Sequence, residues 1–327
     1  MNIRDKIHQL FIDNQELTVP FIVDALSVSK QYVHRVLNDF LEEGIVEKFG
    51  SAPKTVYKIA SNSFKTDSEI LNISEDKYQF LDKNFIVITE IGQLLTGFEA
   101  FENWCNKRNL PIEKTLDEYI LTTDKYHKYF NSNNLISGID KLKSTKGYEK
   151  IYLDDLFYLD FYAIERFGKT RLGTILHYAK QGQNKMLMKI LIEEIKNSVQ
   201  KIIEVYQIDA IVYVPPTIKR ETQLMKVLAN GLKINKPKIE IQKIGGIIPV
   251  PQKSLNKLQE RISNADNTFL VKSTISYTNV LLIDDAVGSG STLNQIAKKI
   301  RDKNLAQKIY GLAIVGSYKG FDVITDV

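Results

Sequence analysis

The sequence predicts an α/β protein, with a mostly parallel sheet flanked by helices over residues 148–327 and a smaller helical domain with a hairpin ahead of it. Three observations predict this. Residues 148–327 alternate short apolar runs with segments of helical periodicity. Inside them, Asn279 to Leu293 reads N-V-L-L-I-D-D-A-V-G-S-G-S-T-L, a buried strand, two acids, a small-residue loop and a helix start. Residues 1–60 place three helical patterns before two short strand patterns.

The bulk numbers bound the possibilities. A chain of 327 residues is expected to form two or three domains, and 43% hydrophobic with 25% charged residues is a soluble globular composition. The single cysteine, Cys105, excludes an internal disulfide and a cysteine-cluster zinc site, and points to a reducing compartment. His8, His34, His127 and His177 are scattered, so no metal constellation is read from them. The N-terminus is not leader-like and no apolar run reaches about 18 residues, which predicts a cytoplasmic protein without a membrane partner. Net charge is +5, yet residues 1–60 carry seven Lys/Arg against eight Asp/Glu. Overall charge therefore gives the N-terminal region no nucleic-acid signal.

Taking the chain in order, Ile3, Ile7, Leu10 and Phe11 recur at helical spacing. Phe21 to Leu26 reads as a second helix after Thr18-Val19-Pro20. Ser29 then caps a third, Lys30 to Glu43, with Val33, Val36, Leu37, Phe40 and Leu41 as its apolar stripe. Strands over 45–49 and 55–59 follow. This order resembles a winged helix-turn-helix over 1–60. Opposite the stripe lie Lys30, Gln31, His34, Arg35 and Asn38, types that reach base edges and phosphates, with Lys54 at the hairpin tip. Double-stranded DNA is the partner this resemblance implies; a solvated helix face, or a dimerisation surface, is the alternative.

Ser61 to Ser68 reads as a linker, and 61–147 as a connecting domain of unassigned role. Within it, Asn84 to Thr89 is expected as a strand. Leu94, Leu95, Phe98, Phe101, Trp104 and Cys105 are expected as one helix stripe, Leu116 to Phe130 as a helix, and Asn131 to Gly147 as loop. Beyond it, strands are expected at Phe157–Ile164, Ala210–Val214, Ile239–Ile244, Asn279–Asp284 and Ile309–Val315. Helices are expected at Leu187–Tyr206, at Thr222–Leu232 and from Leu293, with a long loop before Asn279.

The chemistry concentrates in 279–293. A glycine loop entering a helix offers free backbone N–H groups and the positive end of the helix dipole, which suits phosphate. No Lys precedes the Ser/Thr as a Walker loop requires, and a dinucleotide fingerprint would start directly after the strand. Asp284 and Asp285 intervene instead. Carboxylates beside a phosphate cradle fit sugar hydroxyls, which donate to them. The expected ligand is a ribose 5-phosphate, with its phosphate on Ala286, Val287, Gly288, Ser289, Gly290, Ser291 and Thr292.

This arrangement resembles the signature of type I phosphoribosyltransferases, which bind phosphoribosyl pyrophosphate (PRPP). Pro215-Pro216-Thr217 ends a strand, where ligands bind in open parallel sheets, and is a candidate for holding the pyrophosphate. Lys219 and Arg220 either help neutralise it or form an ordinary basic turn. Three segments are similar to the ComF-like, competence-associated members. They are Arg171 to Gly182; Gln252 to Leu255 with Glu260 to Asn264 and Phe269; and Val280 to Leu293. That family usually begins with a cysteine zinc module, absent here, and its R-G-F-N-Q-type segment survives only as Arg220 and Gln223. The resemblance implies ribosyl transfer at C1 with pyrophosphate leaving. Asp284 and Asp285 would hold the ribose, Arg261 on the long loop would close over pyrophosphate, and Mg²⁺ would be carried largely by pyrophosphate and water. Purine repressors join the same two domain types. The alternative is therefore a DNA-binding regulator that senses PRPP or a nucleotide without turnover. A homodimer is the expected assembly.

Overall fold

The computed structural model describes residues 3–14, 16–50, 55–59, 73–216, 218, 220–244, 255 and 257–317. The Ser61–Ser68 linker, Lys54, Thr217, Lys219 and residues 252–254 lie outside them. The chain divides into two compact units, within residues 1–72 and 73–327.

The first unit runs α1 (Ile3–Asp13), α2 (Val19–Leu26), α3 (Lys30–Glu42), β1 (Val46–Phe49) and β2 (Val56–Ile59). Helix α2 starts earlier than its apolar run suggests, because the Thr18 side chain accepts from Phe21 N and proline fits the first turn. Ser29 caps α3 by accepting from Tyr32 N, as expected. Strands β1 and β2 pair antiparallel, with Val46 opposite Ile59. Ile7, Ile22, Val33, Leu37, Phe40 and Tyr57 close the core.

The second unit opens with α4 (Glu75–Asn84), β3 (Ile86–Ile88), β4 (Leu94–Thr96), α5 (Gly97–Asn106) and α6 (Ile112–His127). Here the expected Leu94–Cys105 helix is corrected. Leu94 and Leu95 pair with β3, and Gly97, at φ +62°, turns the chain before α5 begins. The run 131–147 is not all loop, since it contains β5 (Ile136–Ser137) and α7 (Ile139–Ser144).

There follow β6 (Asp155–Phe161), the β7–β8 hairpin (Ala163–Ile164, Gly168–Lys169), α8 (Arg171–Gln181), α9 (Lys185–Val205), β9 (Ala210–Tyr213) and α10 (Leu224–Gly231). Then come β10 (Ile241–Lys243), α11 (Leu258–Thr268), β11 (Phe269–Val271), β12 (Tyr277–Val287), α12 (Ser291–Asp302) and β13 (Ala306–Gly316). The long loop expected before Asn279 thus holds α11 and β11, and β10 pairs antiparallel with β11 instead of joining the main sheet.

The main sheet has five strands in the order β5-β6-β13-β12-β9. The last four are mutually parallel and β5 is antiparallel to β6. Its edge strand therefore comes from residues 136–137, ahead of the expected boundary at 148. Alternation along β12 splits the core. Leu281 and Ile283 pack with Leu176, Leu191 and Ile195 of α8 and α9. Val280 and Leu282 pack with Ala265, Ile296 and Ile300 of α11 and α12. Both faces of the parallel sheet are covered, which explains its near-continuous apolar strands. Among the described residues no helix is long and apolar enough to cross a membrane.

Candidate functional site

Strand β12 does not end at the two acids. It pairs with β13 as far as Val287 opposite Gly316, which corrects the expected strand end at Asp284. The reason is local: β13 is 11 residues long and offers ladder partners past the apolar run. The acids therefore keep strand parity. Asp285 follows Leu281 and Ile283 toward the α8 side, and there its Oδ2 lies 2.7 Å from Lys180 Nζ. Asp284 Oδ1 accepts from Asp285 N at 2.8 Å. Burial, then the charge of Asp285, pushes the Asp284 carboxyl up from the usual carboxylate range, and the Lys180 ammonium works against that rise.

After Val287 the chain turns through Gly288, Ser289 and Gly290 into α12. Gly290, at φ +75°, is the N-cap and supplies no side-chain cap. The first-turn N–H groups of α12 therefore have no capping side chain at Gly290. Ser289 Oγ and Ser291 Oγ are 2.9 Å apart. From behind, the Tyr148 hydroxyl donates to the Ser289 carbonyl at 2.6 Å. The buried Asn294 amide donates to Lys150 O at 3.0 Å and accepts from Tyr152 N at 2.8 Å. Residues 148–152 thus strap the start of α12. Burial raises the Tyr148 phenol and keeps it a neutral donor.

One cavity, about 180 Å³, takes in the whole run Asp284 to Thr292 together with Pro215, Pro216, Arg220, Arg261 and Lys180. Its remaining wall is largely apolar, with Val214, Ile218, Leu224 and Met225. It opens where β12 and β9 reach their carboxyl ends. Arg261 is corrected from loop to helix. It sits on α11, is 7% exposed, donates from Nε to Leu255 O at 2.7 Å, and has its guanidinium pKa lowered by burial. Arg220 donates to the Lys180 carbonyl and to Gln181 Oε1 at 2.9 Å, which ties the Pro215–Arg220 corner to the end of α8. Gln223 turns back on the same corner, donating to Ile218 O and Arg220 O at 3.2 and 3.1 Å.

Three residues at the site were given no role from sequence. Lys180 had a signal: two neighbouring carboxylates call for a cation, and it lies in the Arg171–Gly182 segment. Tyr148 and Asn294 had none, because their partners are more than 140 residues away in sequence or belong to the backbone. In the first unit Lys30, Gln31, His34, Arg35 and Asn38 are all exposed on one side of α3, and the Arg35 guanidinium lies 5.3 Å from the Tyr32 ring centre.

No protein-family model matches the chain. No curated protein matches it either. Among solved structures it is similar to an adenine phosphoribosyltransferase at 16% identity and TM-score 0.28, over 42% of this chain and 74% of that one. It is also similar to a hypoxanthine phosphoribosyltransferase from Staphylococcus aureus at 14% identity and TM-score 0.26, over 41% of this chain and 65% of that one.

Proposed function

We propose that the chain binds PRPP and transfers its ribosyl 5-phosphate to a nitrogen base or related acceptor, releasing pyrophosphate. What carries the reading is the convergence of both acids, a glycine-capped helix start and a basic corner in one cavity at the carboxyl edge of a parallel sheet. In the proposed step the C1–O bond breaks with its electron pair leaving on pyrophosphate. The acceptor nitrogen's lone pair forms the C1–N bond, and the acceptor's proton is released to solvent. Asp284 and Asp285 accept from the ribose hydroxyls and face the positive charge that builds on the ring. Backbone N–H groups of 286–292 and the hydroxyls of Ser289, Ser291 and Thr292 take the 5-phosphate. Pro215, Pro216, Arg220 and Arg261 would take the pyrophosphate, with Thr217 and Lys219, which lie outside the described residues, assigned to it from sequence. Mg²⁺ would arrive with pyrophosphate, held largely by it and by water, which leaves Asp284 and Asp285 to the ribose hydroxyls. The test is a pyrophosphate-release screen with PRPP, Mg²⁺ and a panel of bases. Release with one base supports transfer, and no release with any base contradicts it.

A second reading, a DNA-binding regulator that senses PRPP or a nucleotide, is favoured by the exposed polar side of α3, opposite a buried apolar stripe. It predicts PRPP binding without pyrophosphate release. It also predicts a shift of duplex DNA by the full-length chain that weakens steeply with salt. In Lys30→Ala/Arg35→Ala the salt slope should shrink by about 0.9 for each phosphate no longer neutralised. No shift at low salt contradicts it.

A further inference from the structure

The cavity contains one cation whose partner is an acid of the same cavity. Lys180 reaches Asp285 from the last turn of α8, the two side chains being 27% and 13% exposed. Its carbonyl accepts from Arg220, so the Lys180 backbone abuts the basic corner while its ammonium reaches the acid. Among the described residues, the other charged side chains lining the cavity are Asp284 on β12, Arg220 on the corner and Arg261 on α11. Both arginines are anchored by backbone carbonyls, Arg220 to Lys180 and Arg261 to Leu255.

The charge requirement of such a site inverts when a ligand enters. Empty, it holds two adjacent carboxylates, which need a cation or a proton between them. Filled with a phosphorylated sugar, Asp285 stays anionic but has its oxygens satisfied by hydroxyl donors, and the diphosphate brings new negative charge that calls for a counter-ion. An ammonium on a flexible four-carbon stem, with three donors, can serve either partner; a planar guanidinium held at a fixed carbonyl is less free to do so. We propose that Lys180 is an exchangeable counter-ion, holding Asp285 in the empty site and turning to the ligand's diphosphate when sugar hydroxyls replace it. The proposal rests on the PRPP reading given above.

The test is calorimetric titration of the full-length protein, Lys180→Met and Lys180→Arg with PRPP and with ribose 5-phosphate, each with Mg²⁺. Ribose 5-phosphate carries the same phosphate and ring hydroxyls but no diphosphate. Thermal unfolding of each variant checks that the fold persists. Lys180→Met should weaken PRPP by about tenfold or more, while ribose 5-phosphate changes by less than about threefold or tightens. Lys180→Arg should recover part of the PRPP loss, because it keeps a charged donor. An equal loss for both ligands, no loss for either, or an arginine variant no better than methionine overturns the proposal. Wild-type protein that takes neither ligand overturns the PRPP reading beneath it. Wild-type protein that takes both, with equal loss in Lys180→Met, overturns the counter-ion role alone.

Discussion

At the scale of single residues, two groups outside the acid pair make testable claims. Asp160 lies between the buried Leu159 and Phe161 of β6, opposite Val315, and its Oδ1 accepts from Phe161 N at 2.7 Å. Burial pushes its carboxyl up to about 7, with the Glu194 charge adding to the rise. A carboxyl raised on folding binds its proton more tightly in the native state. Its favourable contribution is therefore complete below the ordinary carboxylate pKa, near 4, and is lost as pH climbs to about 7. Stability followed by denaturant midpoint should fall across that window, and Asp160→Asn, which keeps the accepting oxygen, should flatten the fall. An unchanged slope in the variant would show that other groups cause it. Tyr148 makes a structural claim on the 288–290 loop, the proposed phosphate site. Tyr148→Phe removes the donor to Ser289 O and should cost about 1 kcal/mol, read as roughly fivefold weaker binding of a 5-phosphate ligand in calorimetry. Binding at wild-type strength would mean the strap does not hold the loop.

At the scale of elements, α8 is the helix on which the site's cation depends. Gly173 in its first turn lies against the Tyr162 carbonyl, so an added Cβ meets backbone that cannot swing away. Gly173→Ala should destabilise the fold by about 1–3 kcal/mol, measured by urea unfolding. A midpoint equal to wild type would mean that α8 is less tightly docked on β6. The elements also show how far sequence alone reaches. Long apolar runs and long stripes were legible, so β9, α3 and α9 fell close to their expected spans, while the apolar runs read at β12 and β13 lie inside longer strands. Helix α11 was not, because Leu258–Thr268 offers only Leu258, Ile262 and Ala265 among polar residues, too thin a stripe to distinguish from loop. The continuation of β12 through Asp284 and Asp285 was hidden for a different reason. Carboxylates read as the end of a strand, whereas here the neighbouring β13 supplies hydrogen-bond partners beyond them. Leu94 and Leu95 misled by their spacing, which fits a helix until Gly97 takes a left-handed turn.

At the scale of the molecule, the candidate site is assembled from segments far apart in the chain. The strap is near 150, the cation is at 180, the corner lies at 215–220, α11 contributes Arg261, and the acids and loop span 284–292. Of these, the 279–293 run could be read directly, because strand, acids, loop and helix start are consecutive. The pairing of Lys180 with Asp285 and of Tyr148 with Ser289 required the parallel sheet order to bring them together. The most direct measurement is calorimetric titration of PRPP, with Mg²⁺, into the wild-type chain and into Asp284→Asn/Asp285→Asn. Saturable binding by the wild type and its loss in the double variant, with unfolding behaviour retained, is the predicted result. Equal binding by the two proteins would contradict a ribose site at these acids.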